Sequence, residues 1–175
     1  MKNHLTAVII FVGLLTCAAQ AQQDGELEAA DGKVIQHIER KVSGWTHKRI
    51  QSVQGSKGVV VTHWQTNNRI VTLSLVKYDS AKSAQDVMQP FIKYQRQKEQ
   101  IQGFGADAYA WGYGLSNIVF RRGKFLVYIE THADVDSDAD AQNLTPQQRG
   151  SRERSEAKRL SRDFAKYAAN ALDQQ

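Results

Sequence analysis

The sequence predicts an α+β fold: a single antiparallel sheet of about six strands, built as two three-stranded meanders packed by helices, in the order α-βββ-α-βββ-α. Three observations predict it. Runs of β-like, partly alternating apolar and polar residues come in two groups of three, with short turns rich in Gly or Asn between them. Segments with helical apolar spacing lie before, between and after those groups. No low-complexity stretch or linker divides the chain, and 175 residues, 41% hydrophobic, suffice for one domain with a sizeable core but not comfortably for two.

The N-terminus sets the expected location. Lys2 precedes the apolar run 5–16, which is too short to span a bilayer well, and Ala19-Gln20-Ala21 forms a small-x-small site. Residues 1–21 therefore read as a secretory signal peptide cleaved after Ala21. Leu14-Leu15-Thr16-Cys17 resembles a bacterial lipoprotein box, but has Thr16 where that box carries Gly, Ala or Ser; acylation of Cys17 is the alternative. Cleavage leaves a chain with no Cys, which excludes disulfides, thiolate metal sites and a Cys nucleophile. The expectation is a bacterial periplasmic or secreted domain with no transmembrane span in the mature chain. Loss of Lys2 lowers the net charge from +5 to +4, a mild excess that does not argue for a nucleic-acid partner.

Residues 22–32 are polar and acidic and read as a flexible lead-in to a single domain over 33–175. Val34, Ile35, Ile38 and Val42 predict a short amphipathic helix over 33–41, stopped by Ser43-Gly44. His37 lies beside that stripe without a ligand partner at helical spacing. Residues 45–52, 58–65 and 69–78 read as strands, with turns at 55–58 and 66–68. In the third, Val71, Leu73 and Leu75 alternate with Thr72, Ser74 and Val76, which predicts one well-buried face. Residues 79–100 change period. Ser83 and Asp86 suggest a capping box, Pro90 predicts a kink or a second helix start, and 93–100 reads as a solvated helix tail.

Residues 103–132 are the main core donor and hold three of the six Phe and three of the six Tyr. They divide into strands at 107–113, 117–121 and 124–131, with a tip at Arg121-Arg122-Gly123-Lys124. An acidic loop over 133–143 follows. Thr145, Pro146 and Gln148 then give an N-cap, a first-turn Pro and a capping-box Gln. Gly150 suggests an early break, and Ala157, Leu160, Phe164, Ala168 and Ala171 form the core stripe of the last helix. Its mixed charges read as a solvated face. The middle and last helices are expected to cover the apolar face of the sheet.

Gly103, Gly105, Ala108 and Tyr109, then Arg121, Gly123 and the strand over 125–129, form a pattern that resembles small exported bacterial domains. The element order resembles the Mog1/PsbP-like α+β fold. The likeness covers 45–172 in architecture and about thirty residues in motif. It implies binding, assembly or sensing roles and no particular reaction.

The chemistry-bearing patterns are few. Gly103-x-Gly105-x-x-Ala108 fits a loose dinucleotide pattern, but a phosphate cradle needs a strand before it and a helix after it, and here a strand follows. Asp134, Asp136, Asp138 and Asp140 alternate in one loop and are the candidate metal ligands, Ca²⁺ being the cofactor that oxygen donors suit. They lack the sixth-position Gly and twelfth-position acid of an EF-hand. Gly114-Leu115-Ser116 lacks the closing Gly of a nucleophile elbow. His47, His63 and His132 could meet acids in space, which keeps a His/carboxylate hydrolase as the alternative. Trp111, Tyr113, Arg121, Arg122 and Lys124, with Phe120 and Phe125, interleave aromatic and cationic groups and form the candidate binding site. The resulting expectation is an exported, non-enzymatic binding domain for an unidentified protein or small ligand.

Overall fold

The computed structural model describes residues 25–50, 58–105, 107–136 and 138–173. The expected signal peptide, Cys17 and residues 51–57, on which the end of the first expected strand and most of the expected turn over 55–58 fall, lie outside the described residues. Among the described residues the fold is α+β with one antiparallel sheet of seven strands and three helices. The elements are α1 (Gly25–Glu39), β1 (Thr46–Ile50), β2 (Val59–Thr66), β3 (Arg69–Lys77), α2 (Ala81–Lys93), β4 (Glu99–Gln100), β5 (Ala108–Trp111), β6 (Asn117–Arg122), β7 (Phe125–Ala133) and α3 (Pro146–Leu172). Short 3-10 turns occupy Tyr113–Leu115 and Ala141–Asn143. The order is thus α-βββ-α-ββββ-α, one strand more than expected.

The extra strand is β4. The expected helix tail over 93–100 ends instead at Lys93, where Lys98 donates from Nζ to the carbonyls of Ile92 (3.1 Å) and Lys93 (3.3 Å). Gln97 then takes a positive φ of 51°, and Glu99 and Gln100 pair with Ala110 and Tyr109. The N-cap of α2 is Ser80, whose Oγ accepts from the Ser83 N–H at 3.0 Å, and not Ser83 as expected. One helix runs across Pro90. Helix α1 begins at Gly25, inside the expected flexible lead-in, because Leu27 and Ala30 extend the buried stripe of Val34 and Ile38. Helix α3 has the expected Thr145/Gln148 capping box and passes through Gly150 without a break.

The sheet order is β1-β2-β3-β7-β6-β5-β4, so the last strands of the two meanders meet in the middle. Strands β3 and β7, nine residues each, pair from Arg69↔Ala133 to Lys77↔Phe125. The two tight turns use two residues each. Asn67-Asn68 (Asn67 φ 43°) lies between the paired Thr66 and Arg69, and Gly123-Lys124 (Gly123 φ 54°) between the paired Arg122 and Phe125.

The middle and last helices lie on opposite faces, which corrects the expectation that they share one. The central strands are apolar at successive positions, as in Phe125-Leu126-Val127-Tyr128-Ile129, so both faces must be covered. One face, here the closed face, packs Trp64, Leu73, Phe120 and Val127 against Val34 and Ile38 of α1 and Leu160 and Phe164 of α3. Phe164 is fully buried between Trp45 (centroids 5.1 Å apart) and Trp64 (5.8 Å). Helix α2 covers the other face with Met88 and Ile92 over Val61, Val76, Val119, Leu126 and Tyr128.

Ion pairs fasten α1 to the sheet. Arg49 on β1 reaches Glu28 (2.7 Å) and the buried Asp31 (2.6 Å), and Glu26 meets Lys77 (3.1 Å) and Lys124 (2.8 Å). No helix among the described residues is long and apolar enough to cross a membrane.

Candidate functional site

Helix α2 covers only part of its face. On β2, β6 and β7 the side chains of this face change from apolar to polar at the same level, while β3 between them turns polar one step earlier, at Ser74, and ends apolar at Ile70. In β2 the sequence on this side runs Val59, Val61, His63, Gln65; in β3 it runs Val76, Ser74, Thr72, Ile70. In β7 it runs Leu126, Tyr128, Glu130, His132, and in β6 it runs Val119, Asn117. The register aligns these changes. Val61, Ser74, Tyr128 and Val119 form one row across the sheet, and Lys48, His63, Thr72, Glu130 and Asn117 form the next. One step further out lie Thr46, Gln65, Ile70 and His132. On the closed face the same strands stay mostly apolar at these levels, with Trp64, Val71 and Ile129 buried beside the buried hydroxyls of Thr62 and Thr131.

The polar row is a platform. Adjacent strands lie about 4.8 Å apart, so the row from Lys48 to Asn117 spans roughly 19 Å. Thr72 is buried in its floor, His63 and Glu130 are partly buried, and Lys48 at the edge is exposed. Burial pushes the His63 imidazole below the usual histidine range, so it is neutral at pH 7 and offers one donor and one acceptor. Burial, and secondarily the charge of Glu130, pushes the neighbouring Tyr128 hydroxyl far above its ordinary range. At the far end, Asn117 Oδ1 is buried with no hydrogen-bond partner among the described residues. A groove of about 860 Å³ opens at the other end, over β1 with His63 and Gln65.

The structure separates the residues of the expected aromatic–cationic site. Trp111 is buried under α2, stacked on Tyr128 (5.7 Å) and edge-on to Phe91 (5.4 Å). Tyr113 is exposed, and its hydroxyl accepts from Arg154 Nη1 at 2.6 Å. Arg121 points to the α2 side and pairs with Asp107 (3.0 Å), while Arg122 points to the closed side and pairs with Asp173 at the end of α3 (2.8 Å). Lys124 pairs with Glu26 (2.8 Å). Each cation of this tip already faces a carboxylate of the chain, so an anion binding there must displace one.

The acidic loop is divided in the same way. Asp138 meets Arg69 (2.8 Å) and Arg152 (3.1 Å), Asp140 meets Arg152 (2.7 Å), and Asp136 meets Arg149 (3.3 Å). The Asp134 carboxylate accepts from the Asp136 N–H at 2.8 Å. Asp134, Asp136 and Glu153 each offer an oxygen within 4.8 Å of the others, so the carboxylates that could face one cation include Glu153, which the sequence did not single out. Glu153 is found only through the fold, since α3 brings its first turns back beneath the loop.

The Gly103–Gly105 segment bends between β4 and β5, with Gly103 at φ 92° and no helix start after it. His63 and His132 share the polar side of the sheet with Glu130, whereas His47 points to the other side, its ring tilted against Trp64 (centroids 4.6 Å apart) and 3.6 Å from Glu39. Comparison of the chain with protein-family models, curated proteins and solved structures returns no match.

Proposed function

We propose that this chain is an exported, non-enzymatic binding domain whose ligand lies across the polar half of the sheet. The observation that carries this reading is the polar row Lys48, His63, Thr72, Glu130 and Asn117, which the register sets side by side just beyond the apolar patch under α2. Polar side chains set side by side on a rigid sheet keep fixed spacing without loop ordering, which lowers the entropic cost of recognition. The mixture of a cation, a neutral imidazole, a hydroxyl, a carboxylate and an orphan amide oxygen suits a polar ligand that accepts and donates along its length.

A His/carboxylate hydrolase is less well supported. Two strand spacings, about 10 Å, separate the backbone of His63 from that of Glu130, and Thr72 stands between them.

The test is an NMR titration of ¹⁵N-labelled protein with a library of polar fragments and short peptides. The reading expects the largest shifts at Lys48, His63, Thr72, Glu130 and Asn117. It also expects the response to disappear in a folded His63→Ala/Thr72→Val variant. Hits that cluster at the Arg121–Lys124 tip, or in a second groove lined by Pro90, Tyr94, Lys98 and Tyr109 beside the end of α2, and survive that variant would overturn it.

A further inference from the structure

Resting on that platform reading, we infer that the partner is an extended acidic segment that adds to the free edge of β1 as an eighth strand. Its carboxylates would lie on the polar side of the sheet.

Three observations lead there. First, β1 pairs with β2 on one side and with no strand on the other among the described residues, and all five of its residues are exposed. An outer edge of this kind presents unpaired N–H and C=O groups that template a further strand. Second, the groove of about 860 Å³ lies along this edge and continues onto His63 and Gln65, so an added strand would enter the platform from its side. Third, the two sides of β1 differ in charge. On the closed side Arg49 is taken by Glu28 and Asp31, and His47 faces Glu39. On the polar side Lys48 has no carboxylate partner among the described residues.

An added strand therefore meets an unneutralised cation on one side and carboxylates on the other. Successive side chains of a strand alternate between sides, so the fitting sequence alternates too, with acids toward Lys48 and neutral residues toward Glu28 and Glu39. A slip of one residue would move every acid onto the carboxylate side. A second copy of the chain fits poorly, because antiparallel self-pairing centred on β1 would set Lys48 against Lys48.

The probe is a blocked hexapeptide of alternating Thr and Glu. Its controls are the Thr/Lys analogue and a Thr/Glu peptide N-methylated at alternate bonds. Amide hydrogen exchange is followed on the whole protein. With the Thr/Glu peptide at ten times its Kd, the outward-facing β1 amides are expected to exchange about tenfold more slowly. The Thr/Lys and N-methylated peptides should give no protection, and the exposed Lys48→Glu substitution should transfer the preference to the Thr/Lys peptide. Equal protection by both charge types, or protection that persists with the N-methylated peptide, overturns the proposal. So does a concentration-dependent dimer that protects β1 without any peptide. Shifts at His63, Thr72 and Glu130 with β1 unprotected overturn the edge addition but leave the platform reading standing. Shifts confined to the Arg121–Lys124 tip overturn both.

Discussion

The two faces of the sheet are built from the same strands and treated differently. The closed face lies under two helices, one of them 27 residues long, and stays mostly apolar along the central strands. The other lies under the 13-residue α2 and turns polar where that helix stops. Alternate residues of one strand thus serve two ends: Trp64 anchors the core while its neighbour His63 stands on the platform. The difference teaches that stability and recognition can be divided by strand parity, so that a substitution at one residue tests one role without the other.

The largest expected effect is on the closed face. Phe164→Ala removes a fully buried ring held by Trp45 and Trp64 and should cost about 3–5 kcal/mol in urea unfolding. Met88→Ala under α2 should cost less, about 2–3 kcal/mol, because a single short helix can settle into the space. If Met88→Ala costs as much as Phe164→Ala, the asymmetry between the faces is not energetic.

Next comes the turn Tyr113–Leu115, clasped by α3. Gly114 has φ 68°, and a Cβ there would lie 2.8 Å from the Arg154 Cβ. Gly114→Ala should cost at least about 1 kcal/mol. Gly123→Asn is the control, since Gly123 also has a positive φ (54°) but open space around it, and Asn tolerates that backbone. It should change the unfolding midpoint little.

Acid sensitivity should also divide by partner. Arg159 first, then Arg69, holds Glu156 below the usual range against the opposing effect of burial. Its stabilisation is present above the unfolded value of about 4.3 and is lost as pH falls. Burial dominates at Asp31 and holds it above the usual range despite Arg49. Its penalty is therefore present above the raised folded value and disappears once both states are protonated, below about 3.9. Urea midpoints measured between about pH 3 and 6 should fall more steeply with acid in Asp31→Asn and less steeply in Glu156→Gln.

The smallest effect belongs to the platform. His63, with a lowered folded value, makes stability fall as pH drops below about 6.5, because the unfolded state takes up the proton first. Water screens this partly exposed site, so His63→Asn should remove only about a few tenths of a kcal/mol of that pH dependence. A large stability loss in this variant would mean that the row is structural.

The strands were legible because their signals are local. Val71, Leu73 and Leu75 alternate within a few residues, and Asn67, Asn68 and Gly123 mark turns by their own backbone preferences. The Thr145 capping box is equally local. Strand β4 was not legible, because Glu99-Gln100 carries no pattern and is defined by its partners on β5. Nor was the platform. His63, Thr72, Glu130 and Asn117 become neighbours only through the β3–β7 and β6–β7 registers, and each looks like an ordinary solvent-facing residue in its own strand. The pairing of the Arg121–Lys124 tip was not legible either, for the opposite reason. Neighbours in sequence point to opposite sides of β6, and their carboxylate partners, Asp107, Asp173 and Glu26, come from distant parts of the chain.

The central seam has a kinetic consequence. Each meander closes through short connections and can form early, but β3 must find β7 across the whole of α2, β4, β5 and β6. The loop-closure entropy of that search is lost before the nine-residue pairing returns any energy. The seam, not either meander, should set the folding rate. Substitutions at Leu73 and Ile129, directly opposite one another across it, should slow refolding more than they speed unfolding, and those at Val60 on β2 should do the reverse.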